Sequence, residues 1–346
     1  MTSKKSVRWM LFATLGLMSG MAACSKKSEN PLPAANSTAP LTPATAPAAT
    51  VPAMEAAKPA EGIKADMRNV LFHMTSIAAA HLVVLSGELW PTGKNPMVVF
   101  DDKNSFEVRV STGTVSISPD ALADIMNNYV FAKPDAPLKD LTVTIENGRL
   151  IIKGKLHTKG DISFATAGTL NVTPDGRIRV HTEKITAMKV PVKGVMGLFG
   201  IELAKIVNTG KIPGMDTDKN DLLMDLGTLL PPPHIRGRLT GVRLDRNAIV
   251  TTFGDGGKSI GPPKERGSYM AFQDGSVRFG SMVMNPTNLT VLDVDEGATL
   301  EWNQDHYKEQ LVAGYSKITP SFGLRAYVKN YSRLRRSGKD TKPAGE

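Results

Sequence analysis

The stretch DLTVTIENGRLIIKGKL, residues 140–156, leaves its backbone little choice. Taking Asn147-Gly148 as a two-residue type I′ turn pairs Ile145 with Leu150 and Val143 with Ile152 on one face. The other face pairs Glu146 with Arg149 and Asp140 with Lys155, opposite charges across the ladder. The result is an antiparallel hairpin, dry on one side and mostly wet on the other. In GTLNVTPDGRIRVHT, a two-residue loop would set Val172 against Arg179. A three-residue loop, Pro174 to Gly176, sets Val172 against Ile178 and Leu170 against Val180 instead, with Gly176 in the left-handed position. Farther on, YMAFQDGSVRFG is expected to turn at Asp274-Gly275 and to pair Phe272 with Val277 and Met270 with Phe279. Hairpins repeated in this way predict an α+β, mainly β fold, a long curved antiparallel sheet wrapping one or two short helices.

Two segments have helical spacing. SPDALADIMNNYVF opens with Ser118 as N-cap, Pro119 at the first helical position and Asp120 in the first turn. Leu122, Ile125, Met126 and Tyr129 form its apolar stripe, and Asp120, Asp124, Asn127 and Asn128 its polar face. The second segment, Val195 to Val207, has only Glu202 and Lys205 as strongly polar residues and ends at Thr209-Gly210. It is shorter than the roughly 20 residues that span a bilayer, so it packs inside protein, lies on a membrane or surrounds a lipid. Val195, Leu198, Phe199, Ile201 and Leu203 are therefore candidate lining for a hydrophobic ligand. Lys193, Lys205 and Lys211 flank the run and are candidate contacts for head-group phosphates.

The first residues carry an address. Lys4, Lys5 and Arg8 precede an apolar run from Trp9 to Met18 and then small residues, the layout of a secretory signal over residues 1–23. Met21-Ala22-Ala23-Cys24 resembles the lipobox of bacterial lipoproteins, in which the cysteine is lipidated; Ser25 after it implies the outer membrane. Cys24 is the single cysteine, so no intramolecular disulfide can support the fold. Residues 24–66, rich in Pro, Ala, Ser and Thr, read as a disordered tether. Residues 67–262 read as the curved-sheet domain, 263–332 as strands that complete the sheet or form a small subdomain, and 333–346 as a basic tail. Without residues 1–23, which carry three basic and no acidic residues, the net charge falls from +9 to +6, mildly basic as suits a neighbour of anionic lipid; it is not gathered into aromatic-interleaved patches, so nucleic acid is not an expected partner.

Other motifs fail on context. Gly257 to Gly261, GKSIG, fits a nucleophile elbow, but Pro262-Pro263 follow where a helix must start, which counts against Ser259 as a nucleophile. DTDKND, from Asp216, has Asp221 where a calcium loop needs glycine and Gly227 where it needs glutamate. The histidines lack metal-ligand spacing, and no cofactor or metal is expected.

VSISPDALADIMNNYVF, then LKDLTVTIENGRLIIKGKL, then the strand pair around Pro174 together resemble the bacterial LmeA-like phospholipid-binding family and, more remotely, the tubular lipid-binding (TULIP) proteins. The resemblance runs from Val108 to Gly254. It implies a sheet wrapped around a helix with a lipid-lined groove, and transfers no individual binding residue. The expected function is a cell-envelope lipoprotein that binds or transfers a lipid or another hydrophobic molecule. The alternative is a non-catalytic structural or assembly factor of the envelope.

Overall fold

The computed structural model describes residues 61–74, 78–93, 96–157, 161–187, 212–256, 267–295 and 297–334. All lie in a compact unit spanning Ala56–Glu346, which contains every described strand pairing and core cluster and so has a complete core of its own. Strands dominate, with a few short helices, as a mainly β α+β fold requires.

The first strands are long: β1 (Ile63–His73), β2 (Ala79–Pro91), the short β3 (Val98–Val99) and β4 (Phe106–Ile117). β2 lies antiparallel to both β1 and β4. β1 starts at Ile63, inside the stretch that composition assigns to the tether. Ile63 and Ala65 are buried there, and two small apolar contributions among polar neighbours suffice once β2 pairs with them. At Asn69, which adopts a left-handed φ of 51°, β1 changes partner. The Asn69 amide donates to Ser268 Oγ at 2.8 Å and its Oδ1 lies 2.8 Å from His81 Nε2, so the polar side chain fixes the kink.

Helix α1 (Pro119–Ile125) follows, with the Ser118 hydroxyl accepting from Ala121 N–H at 3.1 Å. It runs on into a π-helical turn, Met126–Val130. That wider turn shifts the helical phase, and Tyr129, expected on the apolar stripe, is 43% exposed.

A six-stranded sheet comes next: β5 (Leu138–Glu146), β6 (Arg149–Leu156), β7 (Ile162–Val172), β8 (Ile178–Ala187), β9 (Met215–Asp218) and β10 (Asp221–Met224), ordered β5-β6-β7-β8-β10-β9. Two of the three hairpins read from turn chemistry are present here. Ile145 faces Leu150 and Val143 faces Ile152, with Asn147 and Gly148 at φ 50° and 70°. Val172 faces Ile178 and Leu170 faces Val180. One detail differs. A bulge between Lys139 and Thr142 places Lys139, not Asp140, opposite Lys155, and Asp140 reaches Lys155 diagonally in a 2.6 Å ion pair. The bulged Leu141 loses its ladder partners, and Asn127 replaces them: its amide donates to Leu141 O and its Oδ1 accepts from Leu141 N–H, both at 2.8 Å.

The rest of the described chain comprises α2 (Leu226–Leu229), β11 (His234–Gly237), β12 (Leu239–Asp245), β13 (Ala248–Phe253), β14 (Tyr269–Gln273), β15 (Val277–Phe279), β16 (Met282–Met284), β17 (Asn288–Asp293), β18 (Leu300–Asn303), α3 (Tyr307–Val312), β19 (Tyr315–Ile318) and β20 (Leu324–Val328). Most of these strands extend the first sheet in the order β12-β13-β4-β2-β1-β14-β17-β20-β19, with β11 beside β4 and β18 beside β1. The sheet is mixed, because β11, β18 and β20 pair in parallel with β4, β1 and β17. The hairpin expected at Asp274-Gly275 is not formed. Both edges of β14 are already occupied, by β1 and β17, so β15 leaves to pair with β16 and β3 in a small third sheet.

Around that sheet the core is aromatic and close. Phe100 lies 4.3 Å from Phe279, Phe279 lies 4.6 Å from Tyr307, and Tyr307 stacks on Trp302 at 5.7 Å, measured between ring centroids. Buried amides tie the backbone around it. Gln310, fully buried, accepts from Asn303 N–H at 2.8 Å and donates to Glu301 O and Lys329 O at 2.6 and 3.0 Å. Asn330 accepts from Glu301 N–H at 2.7 Å and donates to Asp293 at 2.6 Å.

Candidate functional site

The other end of the large sheet faces the six-stranded sheet across a cavity of about 180 Å³. Two bulges shape its wall. Where β2 passes β4 the register slips at Val83 and again at Ser111. Each extra residue reverses the inward and outward alternation. Leu82 and Leu85 of β2 therefore line the cavity together although they are an odd number of residues apart, as do Val110 and Val115 of β4. Val83, the extra residue in β2, is 41% exposed.

The opposite wall takes a side chain from each of four strands, Leu150 of β6, Leu170 of β7, Ile178 of β8 and Met224 of β10. Leu122, Ile125 and Met126 of the α1 segment cover one side, and α2 with Pro231, Pro232 and Pro233 covers another. This proline-rich return is a lining element that sequence reasoning passed over; three consecutive prolines supply apolar surface with no backbone N–H to satisfy.

Among the described residues the only hydroxyl-bearing lining side chain is Thr251, and it donates to Val115 O at 3.2 Å. No titratable side chain is among the described lining. The described lining side chains therefore offer water almost nothing to bond to. Enclosed apolar cavities of roughly 150 Å³ accept small hydrophobic guests, and this space has a lining of the same apolar chemistry. Its volume equals about six waters at ~30 Å³ each, or a similar number of methylenes.

Val130 and Leu229 separate the cavity from a second, polar-rimmed pocket of about 440 Å³, since both residues line both spaces. Its rim includes Tyr129, Lys133, Asp135 and His157. His157 Nδ1 lies 2.9 Å from Asp161, and this hydrogen bond holds the Asp161 carboxyl below the usual aspartate range. The rim can thus present both signs of charge to a polar group outside the apolar cavity.

The ligand-site residues expected from the sequence, Lys193, Val195, Leu198, Phe199, Ile201, Leu203, Lys205 and Lys211, lie outside the described residues, as do Cys24 and the Gly257 to Gly261 motif. The calcium-like stretch is described. It is the β9–β10 hairpin, turning at Lys219 and Asn220; Asp216 pairs with Arg177 at 2.9 Å and Asp221 with Arg179 at 3.8 Å, and Asp221 also lies 2.5 Å from His181 Nδ1. The chain matches no protein-family model, and comparison with curated proteins and with solved structures returned no match.

Proposed function

We propose that this chain is a cell-envelope lipoprotein, held at the periplasmic face of the outer membrane through a lipidated Cys24, whose body binds or transfers a lipid or another hydrophobic molecule. The observation that carries this reading is the 180 Å³ cavity whose one described lining hydroxyl is already bonded to the backbone. A hydrocarbon chain gains about 0.8 kcal/mol for each methylene removed from water, and such a wall sets no desolvation cost against that gain. The polar-rimmed pocket beyond Val130 and Leu229 gives a head group a place outside. The resemblance to the LmeA-like and tubular lipid-binding proteins points the same way.

Organic extraction and mass spectrometry of the Ala56–Glu346 unit, purified without detergent, tests the proposal. A stoichiometric fatty acid or phospholipid is expected. A clean extract, together with no uptake of added lipid, would favour the second reading, a non-catalytic envelope structural or assembly factor. One observation speaks for that alternative: 180 Å³ is smaller than the ~300–1,000 Å³ usual for small-molecule sites.

A further inference from the structure

The most exposed large apolar side chains of the described residues include Phe322, at 92%, and Ile318, at 77%, on one hairpin at the edge of the large sheet, far along the strand order from the cavity. Ile318 ends β19, and the loop to β20 is fastened by its own bonds. Thr319 N–H donates to Gly323 O at 2.7 Å and Phe322 N–H to Thr319 O at 2.9 Å, while Gly323 N–H donates to Thr319 Oγ1 at 2.8 Å. Phe322 itself sits at φ 58°, a left-handed conformation that bulky residues rarely adopt. A fastened loop thus holds an aromatic ring out in water in an unfavourable backbone state.

The neighbourhood says what the ring would meet. Beside the tip, Tyr315 stacks on Tyr327 at 4.5 Å, and Lys317 Nζ rests 5.4 and 5.3 Å from the two ring centroids. From Ala313 to Val328 the chain carries Lys317 and Arg325 and no carboxylate. Projecting apolar side chains beside tyrosine rings and basic groups are what an anionic lipid interface accommodates. A protein partner needs roughly 800 Å² of complementary surface on each side. A hairpin tip of two exposed apolar side chains does not supply that, whereas a bilayer closes around a wedge of any shape.

We infer that the Ile318–Phe322 hairpin tip is a membrane-touching wedge that inserts into the interface of an anionic bilayer and orients the body against it. Two apolar side chains bind less firmly than one acyl chain, which alone anchors only marginally, so the wedge positions the body and does not hold it. The inference is independent of the cavity and of Cys24.

The test uses the Ala56–Glu346 unit, which lacks any acyl anchor, with vesicles of phosphatidylcholine alone and of phosphatidylcholine with a minority of phosphatidylglycerol. Expected are co-sedimentation with the anionic vesicles that weakens with salt, and a drop of roughly fivefold or more in the double variant Ile318→Ser, Phe322→Ser at an unchanged melting temperature. Phe322→Trp should add emission that shifts to the blue and is quenched by brominated lipid only with anionic vesicles. Equal sedimentation of wild type and double variant, or no binding by either with no Trp shift, would overturn the inference. So would a concentration-dependent dimer that the double variant abolishes, which would assign the tip to a second copy of the chain.

Discussion

The two ends of the large sheet are built from the same backbone and differ in how they are filled. Around Trp302 and Gln310, rings stack on rings and buried amides bond strand to strand. Around Val110 and Val115, branched aliphatic side chains on bulged strands meet a second sheet and leave about 180 Å³ between them. The first arrangement specifies one packing, because every amide partner is committed. The second has no polar commitment and retains room. Burying apolar surface is therefore not what distinguishes core from site in this molecule; completeness of packing is.

The contrast can be broken most forcefully at its closed end. Gln310→Ala removes the partner of Asn303 N–H and of the Glu301 and Lys329 carbonyls in a dry interior, at about 1–3 kcal/mol for each group left unsatisfied. A loss of ~3–5 kcal/mol by urea unfolding is expected, and one under ~1 kcal/mol would show that the amide network holds little. The next largest effect compares one change at both ends. Val277→Phe, at a site 1% exposed, should cost ~1–3 kcal/mol by overpacking, whereas Val115→Phe grows into the cavity and should leave the melting temperature unchanged or raised. Equal losses would mean that the cavity has no room to give.

Smaller effects sharpen the account of the cavity's frame. Asn127→Ala leaves both backbone groups of the bulged Leu141 without their partner, and ~1–2 kcal/mol should be lost, with faster hydrogen exchange at Leu141. Gly148→Ala meets no neighbouring atom, so its cost should be the left-handed backbone alone, ~1 kcal/mol. The smallest effect is a pH dependence. Burial holds the His81 imidazole below its ordinary value. Well above the ordinary imidazole pKa of about 6.5 both states are neutral. As pH falls below that, the unfolded chain takes up the proton first, and the stability contributed by neutral His81 is lost progressively down to the folded pKa. His81→Gln should flatten the urea midpoint between about pH 7 and pH 5; an unaltered slope would place the dependence on other groups.

What was legible in the sequence followed locality. The Asn147-Gly148 and Pro174 to Gly176 turns and the Ser118 cap depend on residues within a few positions of one another, and their geometry follows from turn and cap chemistry. Asp274-Gly275 has the same turn chemistry, and both residues do take positive φ, yet no hairpin forms, because β1, some 200 residues earlier by sequence, already occupies the edge that β15 would need. The cavity wall was hidden for a related reason. The bulges at Val83 and Ser111 reverse the alternation within β2 and β4, so a period-two reading places half of each lining on the wrong face. Gln310 and Asn330 look like surface residues until distant carbonyls are brought to them. The general expectation of a mainly β body with an apolar interior survives these corrections, since it rests on the number of hairpins and not on any one register.

The central claim is that the cavity is a vacancy for a hydrophobic chain. Isothermal titration of hexanoate, whose chain matches the cavity's volume, into the Ala56–Glu346 unit and its Val115→Phe variant, at several temperatures, tests it most directly. The account expects one-to-one binding with a negative heat-capacity change, the mark of apolar burial, abolished in a variant that melts no earlier than wild type. Absence of binding to the wild type, or equal binding by both proteins, would contradict it.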